Sequence, residues 1–337
     1  MGAEPLLEIN NLSTHYVSAQ GARVVRAVEG VSLRINARET LGIVGESGSG
    51  KSTLALSIVR LLPPSARIAS GTMLFEGEDL LSKSDSEMRR LRGRRIAMIL
   101  QDPMASLNPL FTIGDQVAEP IRVHERAARG TAWRRALDLL KAVRIASPDT
   151  RLRQYPHEMS GGMRQRIVGA IGISCEPRLL IADEPTTSLD LTIQAQYLNL
   201  LRELQQAHGL ALIFITHNLG IVAKMCDQLA VMYAGKVVEA GPVRQIFSAP
   251  AHPYTQALLN SIPRMEDSRR RLTAIDGQPP DLASVAPGCA FAPRCPSAIE
   301  RCRAAAPPEF SGGDGRRLRC WLTAPGTVSA EVRGGVA

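Results

Sequence analysis

The chain has 337 residues, 45% of them hydrophobic, which is enough for one large core plus an appendage and sets two domains as the starting expectation. Forty Lys and Arg against 32 Asp and Glu leave a net charge of +8, which suits an anionic membrane surface, a nucleic acid or a nucleotide without choosing among them. The first ten residues carry Glu4, Pro5 and Glu8 instead of a basic start before an apolar stretch, and the run 210–215, among the longest apolar ones, is strand-sized; a secretion signal and a membrane-crossing helix are not expected, and a cytoplasmic chain is.

In chain order, residues 6–9, 28–35, 41–44 and 96–100 read as short strands, and 53–61 as a helix. From about 105 to 174 the pattern turns helical. Trp133, Leu137, Leu140 and Val143 recur at helix spacing, with Arg134, Arg135, Asp138 and Lys141 between them. Strands return at 179–182 and 210–216. Beyond Gly241 prolines multiply and cysteines gather. The expected architecture is α/β, with a mixed sheet core over 1–245, an inserted helical subdomain at about 105–174, and a small cysteine-bearing C-terminal extension over 246–337.

Between the strand at 41–44 and the helix at 53–61 lies Gly45-Glu46-Ser47-Gly48-Ser49-Gly50-Lys51-Ser52, which spells G-x-x-x-x-G-K-[ST]. Its glycines let backbone N–H groups curl around phosphate oxygens, and the helix that sets off at Thr53 turns the positive end of its dipole toward the same anions. Lys51 is placed to reach the β- and γ-phosphates, and the Ser52 hydroxyl to hold Mg²⁺. The strand-loop-helix setting, more than the pattern alone, favours a nucleoside triphosphate site over a plain glycine-rich turn.

A second strand, 179–182, ends in Asp183 and Glu184, placing two carboxylates at the carboxyl edge of a sheet, where α/β proteins bind ligands. Asp183 is the candidate for Mg²⁺ and Glu184 for polarising an attacking water. Alone, the pair would read equally well as a solvated strand end.

With these elements in place, the chain over roughly 6–245 resembles the ATP-binding cassette ATPases, a P-loop NTPase family, because further elements follow in that family's order. The resemblance implies that Gln101 touches Mg²⁺ and the attacking water, and that His217 contacts the γ-phosphate. It also implies that Tyr16 stacks on adenine, although an aromatic residue in a strand is more commonly a core contact. Ser160-Gly161-Gly162-Met163 resembles the signature turn that completes the ATP site of a second cassette. Ser188-Leu189-Asp190 resembles the D-loop. Met163 stands where Gln is usual and Ser188 where Ala is usual, but the Ser160 hydroxyl and the two glycines remain. One cradle, one signature turn and no internal repeat make the chain half of a catalytic pair, with an identical or related cassette as its partner.

The connector Gln101-Asp102-Pro103-Met104-Ala105-Ser106-Leu107-Asn108-Pro109-Leu110-Phe111 has prolines that disfavour continuous helix, and its Leu107, Leu110 and Phe111 offer apolar surface. Its spelling resembles the peptide and nickel importer branch, which implies a docking notch for a membrane subunit.

Cys289, Cys295, Cys302 and Cys320 are separated by five, six and seventeen residues. In a reducing cytosol such thiols suit metal ligation better than disulfides, and zinc, an iron–sulfur cluster and free or structural thiols all remain open. None of the gaps has the short spacing usual for zinc. Arg294, Arg301, Arg303 and Arg319 are expected to offset the thiolate charge. Cys175 and Cys226 read as packing residues. The stretches 252–258 and 288–295 resemble the C-terminal extension of oligopeptide and dipeptide importer ATPases, which implies a [4Fe-4S] cluster on the four cysteines.

The expected function is therefore an ATPase subunit of a peptide importer, peripheral on the cytoplasmic face of the cell membrane. Its expected partners are a second cassette, two integral membrane permease subunits and, indirectly, an extracytoplasmic binding protein. The alternatives are a nickel or other small-solute importer and a soluble ATPase acting on nucleic acid. The low aromatic content, 4%, counts against the last of these.

Overall fold

The computed structural model describes residues 4–18, 23–187, 189–261, 275–312 and 315–323. Its strands are β1 (Leu7–Val17), β2 (Val24–Ile35), β3 (Thr40–Val44), β4 (Ala66–Phe75), β5 (Glu78–Asp79), β6 (Ile96–Ile99), β7 (Leu179–Asp183), β8 (Ala211–Ile215), β9 (Gln228–Tyr233), β10 (Lys236–Pro242), β11 (Phe310–Ser311) and β12 (Arg317–Leu318). Among the described residues they form a four-stranded sheet, β2-β1-β4-β5, and an eight-stranded sheet, β11-β12-β10-β9-β3-β8-β7-β6. The first is antiparallel. In the second, β6, β7, β8, β3 and β9 are parallel, and β10, β12 and β11 continue antiparallel.

Every residue of β3, β7 and β8 is buried, the signature of strands covered on both faces. Period-two alternation divides their side chains. Leu180, Ala182, Leu212 and Phe214 face a core shared with the helical insertion, whereas Leu179, Ile181, Ile213 and Ile215 face one shared with the helix Lys51–Ile58 and the antiparallel sheet. The site at the carboxyl ends of β3, β7 and β8 thus stands on a rigid base.

The insertion contains helices Ile113–Glu125, Arg129–Ala142 and Gly161–Ile173. The periodicity over 133–143 marks the helix and its inward side, with Leu140 and Val143 fully buried, but omits the alanines at its centre. Ala132, Ala136 and Leu140 are fully buried, while Trp133 and Leu137 pack at the margin. Trp133 lies over Gly114, where any Cβ would come within 2.5 Å of the indole, so the small residues let the helices approach closely. In the connector only Pro103–Ser106 is helical, capped by the Asp102 carboxylate, which accepts from the Met104 N–H. Leu107 is not surface: it is 3% exposed and belongs to the insertion core, while Leu110 and Phe111 stay exposed.

The segment after Pro242 is stitched to the sheet. Leu318 and Arg317 of β12 pair with Glu239 and Ala240 of β10, and Tyr254 and Phe291 share a cluster with Val44 and Tyr233. No helix among the described residues is long and apolar enough to cross a membrane.

Candidate nucleotide site

β3 delivers the chain into the glycine-rich loop, and the helix Lys51–Ile58 leaves it. Gly50 has φ 100°, and a Cβ there would lie 2.1 Å from the Ala27 carbonyl oxygen; at Gly45 it would lie 2.2 Å from that of Met232. The loop is wedged between neighbouring backbones. It forms one wall of an open cleft of about 440 Å³, through Ser47, Gly48, Gly50, Lys51, Ser52 and Thr53, and Gln101, Glu184 and His217 form the other. Lys51 is 6% exposed, and its ammonium donates to the carbonyls of Gly45 (2.8 Å) and Glu46 (2.9 Å) and stands 3.5 Å from the buried Ser49 hydroxyl. Burial lowers its pKa, and the carboxylates of Glu184, Asp183 and Glu46 oppose that shift.

Asp183 ends β7 at 5% exposure. Burial raises its carboxyl pKa, and a hydrogen bond with Ser52 works the other way. Its Oδ1 is buried with no hydrogen-bond partner, an arrangement that costs free energy unless a cation supplies the missing contact. Mg²⁺ takes one or two carboxylates and fills its shell with water and phosphate oxygens, so Asp183 with Ser52 is a fitting donor set.

Glu184 follows with φ 45°, left-handed and rare for a side chain of this size, held there as its N–H donates to the Ile215 carbonyl at 2.9 Å. Three side chains meet its Oε2. Gln101 donates from Nε2 at 3.1 Å, the Thr187 hydroxyl donates at 3.0 Å, and His217 Nδ1 stands at 3.3 Å. Gln101, Glu184 and His217 come from the ends of three neighbouring strands, β6, β7 and β8. Thr187 was not singled out in the sequence. A threonine in a loop carries no signal until the loop folds back on the carboxylate.

The other expected residues lie apart. Tyr16, on β1, is half-buried, with its hydroxyl 3.3 Å from that of Thr53. Ser160 is exposed and caps the helix Gly161–Ile173, its hydroxyl accepting from the Met163 N–H at 3.3 Å. Gly162 packs against Ile193, where a Cβ would meet a methyl at 2.8 Å, whereas Gly161 opens to space. None of 160–163 lines the cleft. Asp190 caps the helix Leu191–His208, accepting from the N–H groups of Thr192 and Ile193 at 3.1 and 3.0 Å. Leu189 packs at the edge of the insertion core, and Ser188 lies outside the described residues.

Two further residues reach the loop from far along the chain. The Arg294 guanidinium forks onto the Glu46 carboxylate at 2.7 and 3.0 Å, and the Tyr254 hydroxyl accepts from the Glu46 N–H at 3.0 Å. In the sequence Tyr254 is marked only by its stretch's resemblance to importer extensions, and Arg294 reads as a counter-charge for the thiolates, not as a partner of the loop.

The four C-terminal cysteines are free thiols within electrostatic range of one another. Burial is the main reason the acidities of Cys289, Cys295 and Cys320 weaken, and the neighbouring thiols raise the Cys320 pKa further, to about 11. The Cys289 N–H donates to the Cys302 carbonyl at 2.7 Å. A ligand set closed on one point is not formed: among the described residues no three His, Cys, Asp or Glu are grouped to hold a metal ion. Instead Cys302 and Cys289 pack with Ala292, Phe310 and Trp321 as small hydrophobes. Three of the four arginines expected to screen the thiolates are engaged elsewhere. Arg294 serves Glu46, Arg301 stacks 3.7 Å from the Trp321 ring centroid, and Arg319 donates to the Gly30 carbonyl. Cys175 is buried, and burial pushes the Cys226 thiol up to about 12, as packing residues require.

The ABC transporter family matches residues 28–187, and the family described as the C-terminal region of oligopeptide/dipeptide transporters matches 238–302. The chain is 50% identical over 321 residues to a probable peptide ABC transporter ATP-binding protein of Sinorhizobium fredii, covering 95% of each. It is 49% identical over 320 residues to the dipeptide transport ATP-binding protein DppD of Bacillus subtilis, again covering 95% of each. Among solved structures, a dimeric post-hydrolysis state of the ATP-binding cassette MJ0796, bound to ADP and Pi, is similar with a TM-score of 0.63 and 25% identity, over 71% of this chain and 99% of that one. Cradle, acidic strand end, sheet order and full-length similarity agree: the chain belongs to the ABC transporter ATP-binding proteins of the oligopeptide/dipeptide importer family.

Proposed function

We propose that this chain is the ATP-hydrolysing subunit of a di- or oligopeptide importer, with Glu184 as the group that activates water. The observation that carries the catalytic part is the convergence of Gln101, Thr187 and His217 on one oxygen of Glu184, across the cleft from Lys51 and Ser52. Three contacts fix the carboxylate's orientation before substrate arrives, which is how positioning lowers a barrier. The loop amides from Gly45 to Thr53 bind the phosphates, and the Lys51 ammonium exchanges its two carbonyl partners for phosphate oxygens. Asp183, Ser52 and Gln101 would hold Mg²⁺, which would supply positive charge to the phosphates. Tyr16 flanks the base, His217 meets the γ-phosphate, and Glu184 takes the proton of the attacking water.

Ser160, Gly161, Gly162 and Met163 serve the nucleotide of a second cassette, identical or related, with Ser188, Leu189 and Asp190 at the same junction. The placement of residues 160–163 away from this chain's own cleft supports that division, as does the similarity to a cassette solved as a dimer. A groove of about 610 Å³ between the core and the insertion, lined by Leu61, Leu100, Pro120, Val123 and Ile171, receives a permease helix and holds the protein peripherally at the membrane. Cys289, Cys295, Cys302 and Cys320 would ligate a [4Fe-4S] cluster, or zinc as the alternative; four free thiols within electrostatic range of one another in one small segment support this reading, ligation would require them to close further onto one point, and the cluster would staple that segment. Iron, sulfide and zinc analysis after anaerobic purification decides between the two metals.

Glu184→Gln tests the central claim. It is expected to bind ATP and hydrolyse it more slowly by about 10²-fold or more. Turnover near wild type would remove Glu184 from its role.

A further inference from the structure

Glu46 puts a carboxylate in the phosphate cradle, where an unpaired negative charge would oppose a polyphosphate. It is also the most tightly tied residue of the loop. Its N–H donates to the Tyr254 hydroxyl, its carbonyl accepts from Lys51, and both carboxylate oxygens accept from Arg294, 248 positions away. The Arg294 side chain is 5% exposed. Its Nε donates to the Asp276 carbonyl (2.9 Å) and its Nη2 to that of Ile275 (3.2 Å), and it stands 3.2 Å from the Tyr233 hydroxyl. The rings of Tyr233 and Phe291 flank it at 5.8 and 6.0 Å from their centroids. A planar fork held in this frame meets a carboxylate in one geometry only, which a lysine would not reproduce.

We propose that Arg294 is a positioning residue of the nucleotide site: it neutralises Glu46 and holds the loop in the shape that accepts phosphate. The inference rests on reading the loop as the nucleotide cradle. The C-terminal segment is then part of the ATP site. Without Arg294, the half-buried Glu46 carboxylate becomes an unpaired charge beside the incoming phosphates, and the carbonyl on which Lys51 rests is released.

The test measures MgATP dissociation constants by calorimetry, and melting temperatures, for the full chain and for Arg294→Ala, Arg294→Ala with Glu46→Gln, and Lys51→Ala. Arg294→Ala is expected to weaken MgATP binding by about 10-fold or more. Adding Glu46→Gln should recover most of that loss, because the stranded charge is gone. An ion pair that serves stability alone behaves otherwise: the melting temperature falls, affinity holds and the second substitution rescues nothing, and that result would overturn the proposal. If Arg294→Ala does not fold, Arg294→Gln, whose amide can still reach the Ile275 and Asp276 carbonyls, replaces it with the same two outcomes. A wild-type chain that binds no MgATP, indistinguishable from Lys51→Ala, would overturn the cradle reading and this inference with it; wild-type binding matched by Arg294→Ala overturns this inference alone.

Discussion

The phosphate loop and the serine-glycine turn at Ser160 are both helix N-termini suited to anions, yet the chain holds them very differently. The loop is wedged at Gly45 and Gly50, its lysine is buried, and Glu46 is gripped by residues more than 200 positions away. The turn is exposed, and its serine hydroxyl caps its own helix. A site that binds its own ligand benefits from a frame formed in advance, because ordering it at the moment of binding costs affinity. A turn that serves a neighbour's ligand must instead lie open on the surface.

The contrast breaks most widely at Lys51. Lys51→Ala removes the charge that faces the phosphates from inside the wedged loop, so turnover should fall by about 10³-fold, with weakened nucleotide binding. Unchanged titration and turnover would mean that the loop is not the cradle. Ser160→Ala probes the other side. Turnover of the assembled protein should fall by about 10²-fold while the isolated chain binds MgATP as before. A matching loss of affinity in the isolated chain would place Ser160 at its own site and dissolve the comparison.

The smallest effect concerns the brace beneath the loop. His252 is 1% exposed and its Nδ1 accepts from the Tyr254 N–H, beginning the helix whose Tyr254 hydroxyl holds Glu46. Burial lowers its pKa to about 4. The unfolded chain, with a histidine pKa near 6.5, therefore takes up a proton that the folded chain refuses. This contribution is complete well above pH 6.5 and declines as pH falls toward 4, by about 1.6 kcal/mol between pH 6.5 and 5. Melting temperatures across that range should show the slope, and His252→Asn, which can still cap the helix, should flatten it. A slope that persists in the variant would assign the titration to another group.

Much of the site was legible because its residues are neighbours in sequence with separate tasks. Gly45 to Ser52 and Asp183-Glu184 each carry their chemistry within a few positions, and the apolar runs before them identify the strands. Gln101 and His217 required the order of elements as well, since a lone glutamine or histidine after a strand has many uses. Thr187, Arg294 and Tyr254 escaped because their contacts with Glu184 and Glu46 exist only after folding. On the helix Arg129–Ala142 the spacing of Trp133, Leu137, Leu140 and Val143 marks the inward side, but Ala132 and Ala136 are buried more completely than Trp133 and Leu137, because close helix packing admits small residues at its centre. Leu107 was taken for surface because a connector's exposure depends on what covers it.

Sequence alone determined that a glycine-rich loop, a lysine and two carboxylates would meet at one sheet edge, because strand-loop-helix geometry and the period-two alternation of buried strands are local consequences of residue type. Only the tertiary structure decided what holds that loop and which acids are paired. Arg294 meets Glu46, and Asp183 is left with an unpartnered oxygen, through contacts between segments far apart in the chain. Electrostatics acts across space, and no local pattern records which charges the fold will bring together.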